Sequence, residues 1–216
     1  MSTATSRGPR GPYARSTERR RVIAAAVLGL VEEKGHEHLT TAEVAARADL
    51  AEATVLYHFP SRDHLLVAAL EHSEEQATTL IPPIGSAADD LPDRLREFVH
   101  QTTQHSNVTR LFMTLAAQAT LPGHPARDYI TRHRSRVVEV FTELVRARQR
   151  AGMAHPGLDP AVVARQFVAT WNGLETAWFL DPSFDLADLV VDAFRRLTGQ
   201  NWAEIRAMLL DPSTGL

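Results

Sequence analysis

Apolar positions along this chain recur at helical spacing, and no segment alternates as a strand would require. From Thr17 onward, Ile23, Val27 and Leu30, joined by Ala26 and Val31, form one stripe, and Gly35 ends it. Thr40 opens a short second helix with Glu43 three positions later, the spacing at which each side chain satisfies the other residue's orphan amide. That helix runs to about residue 48. A third is predicted over residues 52–58, closed by Pro60, and a fourth over 61–80, broken by Pro82 and Pro83. Five more are predicted over 92–105, 107–120, 125–152, 160–180 and 186–198, with a short tail helix over 202–210. Pro92 and Pro160 stand at first helical positions, and Asp159 suits an N-cap. The fold class is all-α.

Two short helices joined by a tight turn, after a longer packing helix, make a helix-turn-helix. Val44, Ala45 and Val55 are expected to face inward and fix the crossing angle, with Ala46 and Ala48 small enough for close approach. The second short helix is then free to lie in a major groove with its N-terminal residues at base edges. The segment 82–90 is the one linker-like stretch inside the chain. The expected organisation is a disordered, Arg-rich arm at 1–16, a helix-turn-helix DNA-binding head at 17–64, and a larger helical domain at 65–216.

Charge sharpens this picture. The net charge is −3, yet residues 1–21 hold six arginines against Glu18 alone, a balance of +5 that leaves −8 on the remainder. A basic arm on an acidic body suits a polyanion, because each neutralised phosphate releases counterions. A solvated arm of an arginine-rich protein would look the same, since Lys34 is the one lysine among 23 basic residues. The absence of cysteine removes disulfides, thiol catalysis and sulfur-liganded zinc. His36 and His38 flank a turn without a third ligand, so no metal is expected. The chain lacks a run long and apolar enough to span a membrane, and its first 21 residues do not read as a secretory signal; a cytoplasmic protein is expected.

The stretch Thr40–Thr41–Ala42–Glu43–Val44–Ala45, then Ala48, then Thr54 to Leu66 with its Tyr57–His58–Phe59 and Ser61–Arg62–Asp63 runs, closely resembles the DNA-binding region of the TetR family. The resemblance covers about residues 20–70. It implies a homodimeric repressor whose heads bind a pseudo-palindromic operator in double-stranded DNA and are released when a small organic effector enters the larger domain. By the resemblance, Thr41 and Thr54 match hydroxyls that contact phosphate. Tyr57 and His58 match an aromatic pair that positions the helix on phosphate, and Arg62 matches a basic residue gripping the backbone. His58 also reads as a packed core histidine. Phe59, Leu65, Leu66, Val55 and Ile23 read as head core.

Three residues depart from the family's pattern. Ala51 stands where serine is common, leaving the recognition helix without its usual capping hydroxyl. Asp49 replaces a turn glycine, and Leu56 replaces a common tyrosine. Base reading therefore leans on Ala42, Glu52, Ala53 and Leu56, with Glu52 able to accept from cytosine and Leu56 to touch thymine methyls.

Further along, Leu186, Leu189, Val190, Ala193, Phe194 and Leu197 form a one-sided stripe, whereas the helix before it is apolar nearly all round. The resemblance implies that these last two long helices pair with their twins in a homodimer. Two heads must sit about 34–36 Å apart to reach successive major grooves. Inward-facing candidates for the effector are Phe98, Gln101, Thr102, His105, Phe112, Met113, Tyr129, His133 and Trp171, with Glu175 nearer the dimer side. An apolar cavity with a few polar anchors suits a neutral or weakly charged organic molecule; the same aromatics also read as plain core. No cofactor is implied. Phosphate-binding glycine loops, nucleophile elbows and His-Glu-x-x-His motifs are absent from the sequence, so an enzyme is not expected. The remaining alternatives are a ligand-binding protein with a degenerate head and a transcriptional activator of the same family.

Overall fold

The computed structural model describes residues 12–76 and 90–200, which form nine helices and no strand. The first eleven residues, most of the linker-like stretch and the expected tail helix lie outside the described residues. The helices are α1 (Pro12–Lys34), α2 (Thr41–Ala48), α3 (Glu52–His58), α4 (Arg62–Gln76), α5 (Leu91–Gln104), α6 (Ser106–Gln118), α7 (Arg127–Arg150), α8 (Pro160–Leu180) and α9 (Leu186–Leu197). One boundary corrects the expectation. α1 begins at Pro12, not Thr17, so residues 12–16 of the expected arm are helical. Proline is tolerated in a first turn, and the alanine and arginines that follow are good helix formers, with Glu18 and Arg21 paired at 3.1 Å one turn apart.

The described residues fall into two compact units. One comprises those of Met1–Ala77 together with Asn107–Ala126, the other those of Thr78–Ser106 with Arg127–Leu216. In the first unit α1 packs on α4 and α2, and α2 packs on α3. Ile23, Val27, Val31, Val44, Val55, Leu65 and Leu66 are at most 1% exposed and form its core, with Phe59 beside them. Ala45 is the buried small residue of α2, whereas Ala46 is exposed and contributes nothing to helix approach. α6 belongs to this unit as well. Asn107 Nδ2 donates to the Glu32 carbonyl at 3.0 Å, and His124 Nε2 lies 3.4 Å from Asp63 Oδ2.

In the second unit α8 packs against α7 and α9, and α9 against α5. Aromatic rings meet edge to face at the centre, Phe141–Phe167 at 4.8 Å and Phe167–Phe194 at 5.0 Å between centroids. Such geometry sets the positive ring edge against the negative ring face. Asp159 and Asp185 cap α8 and α9 by accepting from backbone amides of their first turns. The buried arc of α9 is Leu186, Ala187, Val190, Val191 and Phe194. It is turned from the expected stripe, because Leu189 is 40% exposed and Ala187 and Val191 take its place. α8 is likewise not covered all round, with Val162 and Leu180 exposed. None of the helices among the described residues is long and apolar enough to cross a membrane.

Candidate functional site

α2 starts where the sequence requires. The Thr40 hydroxyl accepts from the Glu43 amide while the Glu43 carboxylate accepts from the Thr40 amide at 3.0 Å, a reciprocal cap. Lys34 pairs with the same carboxylate; this bond first, and those from Thr40 next, hold it down at about 2. The helix ends at Asp49, whose φ of 53° and ψ of 49° lie in the left-handed region that aspartate enters more readily than most residues. Its amide and that of Leu50 turn back onto Ala46 and Ala45 carbonyls, which closes α2 and swings the chain into α3. Ala51 is the N-cap of α3 and offers no side-chain bond, as its missing hydroxyl dictates.

α3 buries Val55 fully and His58 almost so. Its other face carries Glu52, Ala53, Leu56 and Tyr57 into solvent, with Tyr57 84% exposed. Thr54 and Thr41 are half-buried and Ala42 is exposed, so seven of the nine expected DNA-contact residues reach the surface of the α2–α3 pair. The remaining two sit differently. The His58 ring is packed edge-on to Tyr57 at 5.2 Å, matching the alternative of a core histidine. Burial, then the charges of Arg20 and Arg19, pushes its imidazole below the ordinary value. Arg62 is exposed, but its guanidinium donates to the carbonyls of His36 and Glu37, bracing the turn after α1.

Sequence reasoning missed Arg20 as a positioning group and counted it only as arm charge. It stacks on Phe59 and donates to the His58 carbonyl at 2.6 Å, tying α1 to the C-terminal end of α3. No periodicity reports such a contact, since the residue is polar and its partners lie about forty positions on. Among the described residues there is no cluster of three or more histidine or acidic side chains that could hold a metal ion.

The expected effector residues divide between the units. Phe112 and Met113 are half-buried on α6, in the first. The others lie in the second, on α5, α7 and α8. Phe98 and Trp171 meet edge to face at 5.4 Å, and Tyr129 and His133 lie 5.9 Å apart. Gln101 donates to Glu97 at 2.9 Å, along the surface, and His105 is exposed at the end of α5, so neither faces the aromatic cluster as expected. Glu175 is 7% exposed, with the Thr102 hydroxyl and the Trp171 indole as the polar groups that favour its charged form. The Thr102 hydroxyl donates to the Val99 carbonyl at 2.8 Å, which uses its one proton. Burial outweighs both and raises the carboxyl to about 7.

In the second unit a cleft of about 190 Å³ is lined on α5 by Val99, His100 and Thr103 and otherwise by Trp178, Phe184, Asp185, Leu186 and Ala187, none of them an expected effector residue. A wider, shallow groove of about 540 Å³ lies in the first unit along Arg21, Ala25, Arg47 and His72. It includes none of the expected effector residues, and its edge is occupied by the Arg47–Glu33 pair.

Residues 23–69 match the family model described as bacterial regulatory proteins, tetR family. The chain is similar to the A-factor receptor protein of Streptomyces griseus, 24% identical over 187 residues that cover 85% of this chain. It spans 64% of that relative's length, just under two thirds. A protein of Saccharomonospora viridis solved in complex with choline shares the fold at a TM-score of 0.68, with 21% identity over 86% of this chain and 97% of its own. The multidrug binding protein EbrR, solved with imidazole, shares it at a TM-score of 0.66, with 24% identity over 90% and 97%. The matched segment is the helix-turn-helix head whose geometry is given above, and the likeness in fold extends over the larger unit. Over residues 23–69 the chain carries the segment of the tetR family of bacterial regulatory proteins, and over most of its length it shares the fold of the two solved structures.

Proposed function

We propose that this regulator is a homodimeric repressor that binds a pseudo-palindromic operator through α3 and lets go when a small organic effector enters its larger helical unit. The observation that carries the reading is the outer face of α3. Glu52, Ala53, Leu56 and Tyr57 stand in solvent on a helix whose opposite side is anchored in the core. A helix of this kind, presented by a preceding helix that crosses behind it, has the dimensions of a major groove. Thr41, Thr54 and Tyr57 are assigned to phosphate, and Ala42, Glu52, Ala53 and Leu56 to base edges. His58 supports Tyr57 from behind, and Arg62 acts on DNA only if it leaves its carbonyls.

Dimerisation through α8 and α9 is supported by Val162, Leu180 and Leu189, large apolar side chains that one copy of the chain leaves exposed on those helices. An effector site in the larger unit is supported by the cluster of Phe98, Thr102, Trp171 and Glu175. A degenerate head is the second reading, favoured by Arg20 and Arg62 both being engaged with main-chain carbonyls. Selection of bound duplexes from a random pool at physiological salt separates the two. Recovery of a pseudo-palindrome supports the repressor. Recovery of no motif, with binding that vanishes as salt rises, supports the degenerate head.

A further inference from the structure

We propose that His36 is a proton switch for Arg62. When its buried ring takes a proton, Arg62 lets go of the turn after α1 and is free to grip the DNA backbone. Such a switch rests on the reading of the α2–α3 pair as a DNA-binding head and adds a regulator to it. The His36 side chain is nine-tenths buried in that turn, and its Nδ1 has no hydrogen-bond partner. A buried polar atom in that state costs free energy, so packing alone gives no reason for an imidazole here. The carboxylate of Glu37 stands 3.9 Å from the same nitrogen and is largely in solvent. A proton on Nδ1 turns the orphan atom into a donor beside that carboxylate.

The same proton acts on Arg62. Its Nη2 donates to the carbonyls of His36 and Glu37, at 3.1 Å to the latter, so guanidinium and imidazole share one short turn. Once the ring is charged, two cations compete for one carboxylate and two carbonyl oxygens. The ring is walled in and the arginine is exposed, so the arginine is the one that moves. Glu37 and Arg62 are the charges that act on the ring. Burial first, opposed by Glu37 and reinforced by Arg62, holds the imidazole below its ordinary 6.5, which keeps the ring neutral at neutral pH. The remaining charges near the turn are engaged elsewhere. Arg110 of α6 and His38 act on Glu37, Lys34 pairs with Glu43, Arg47 with Glu33, and Asp63 faces His124.

The test is operator binding by the full-length protein, parent and His36→Asn, on the duplex recovered by selection. It is run at about pH 7.5 and about pH 5, which bracket a histidine's titration. Asparagine keeps a polar side chain that cannot charge, while every other group titrates as in the parent. Relative to His36→Asn, the parent should gain about three- to tenfold in affinity on acidification. Its salt slope should steepen by about one per head, the mark of one added phosphate contact. Glu37→Gln changes an exposed side chain and should shrink the gain, because the charged ring loses its counterion. Without DNA, nitrogen-15 relaxation of the Arg62 Nε–H should show its order falling on acidification in the parent and not in His36→Asn. An equal gain in His36→Asn, or an Arg62 equally ordered at both pH values in the parent, overturns the switch and leaves the repressor standing. Release of Arg62 with no operator recovered at either pH sinks the DNA-binding reading and the grip proposed for Arg62 with it.

Discussion

The guanidinium of Arg20 sits over the ring of Phe59, 4.2 Å from its centroid, and the same group donates to the His58 carbonyl at 2.6 Å. One residue of α1 thus fixes both a side chain and the main chain where α3 ends. α3 has seven residues, too few to hold a helix in water alone. Its attitude toward DNA is set by what grips its inner side, namely Val55, His58 and this arginine.

Arg20→Ala should therefore destabilise the head by about 1–3 kcal/mol, from a lost cation–π contact and a lost charged hydrogen bond. Arg20→Lys should recover only part, since an ammonium cannot stack its plane on the ring and donate sideways at once. Chemical denaturation of the three proteins measures this. Equal midpoints would show that α3 is held without Arg20.

Ala51 leaves the first amides of α3 without a side-chain cap. Ala51→Ser should stabilise the protein by about 1 kcal/mol, the usual worth of a capping hydroxyl. The same denaturation midpoint reports it. No gain would mean that those amides already have partners as good.

Tyr57 and Arg62 should part company when mutated. Tyr57 is 84% exposed, so Tyr57→Ala should change stability by less than about 0.5 kcal/mol while weakening binding to every duplex alike. Arg62 braces the carbonyls of His36 and Glu37, and Arg62→Ala should cost about 1–3 kcal/mol of stability. Paired melting and duplex-binding curves separate the two roles. A Tyr57→Ala protein that changes its preferred sequence would contradict the phosphate assignment.

Glu175 makes stability depend on pH. Its carboxyl is raised from 4.5 to about 7 in the fold, so between those values the folded chain binds the extra proton. Stability should fall as pH rises through that window and stay low above it, by a total on the order of 3 kcal/mol. Glu175→Gln should remove most of this slope and be more stable than the parent above about pH 8. Denaturation at about pH 5 and pH 8 measures both proteins. Identical slopes in the two would show that Glu175 ionises freely.

Much of this molecule was legible as sequence because its determinants are local. The reciprocal Thr40–Glu43 cap and the uncapped Ala51 follow from residue type and spacing within a few positions, and both stand in the structure as read. The buried set of the head also followed from periodicity, down to Val44, Val55 and Phe59. Long-range polar contacts did not. In sequence Arg62 reads as a grip on the DNA backbone and Arg20 as arm charge, because no local rule names a carbonyl 25 or 38 positions away as partner. On α9 the apolar stripe gave the right helix but the wrong arc. Leu189 and Val191 are both apolar, and only the packing of α5 and α8 decides which one is covered. The effector residues scattered for a similar reason. Helical spacing places Gln101 and His105 on one face, but Glu97 on that same surface draws Gln101 outward.

The central claim is that two heads read two halves of one operator, and one titration tests it directly. Full-length protein is titrated onto the selected duplex and onto the same duplex with one half scrambled, at fixed physiological salt. If paired heads are required, scrambling one half should lower affinity by at least about a hundredfold, toward the level of unrelated DNA. An affinity unchanged by the scrambled half would contradict paired reading and leave a single head as the binding unit.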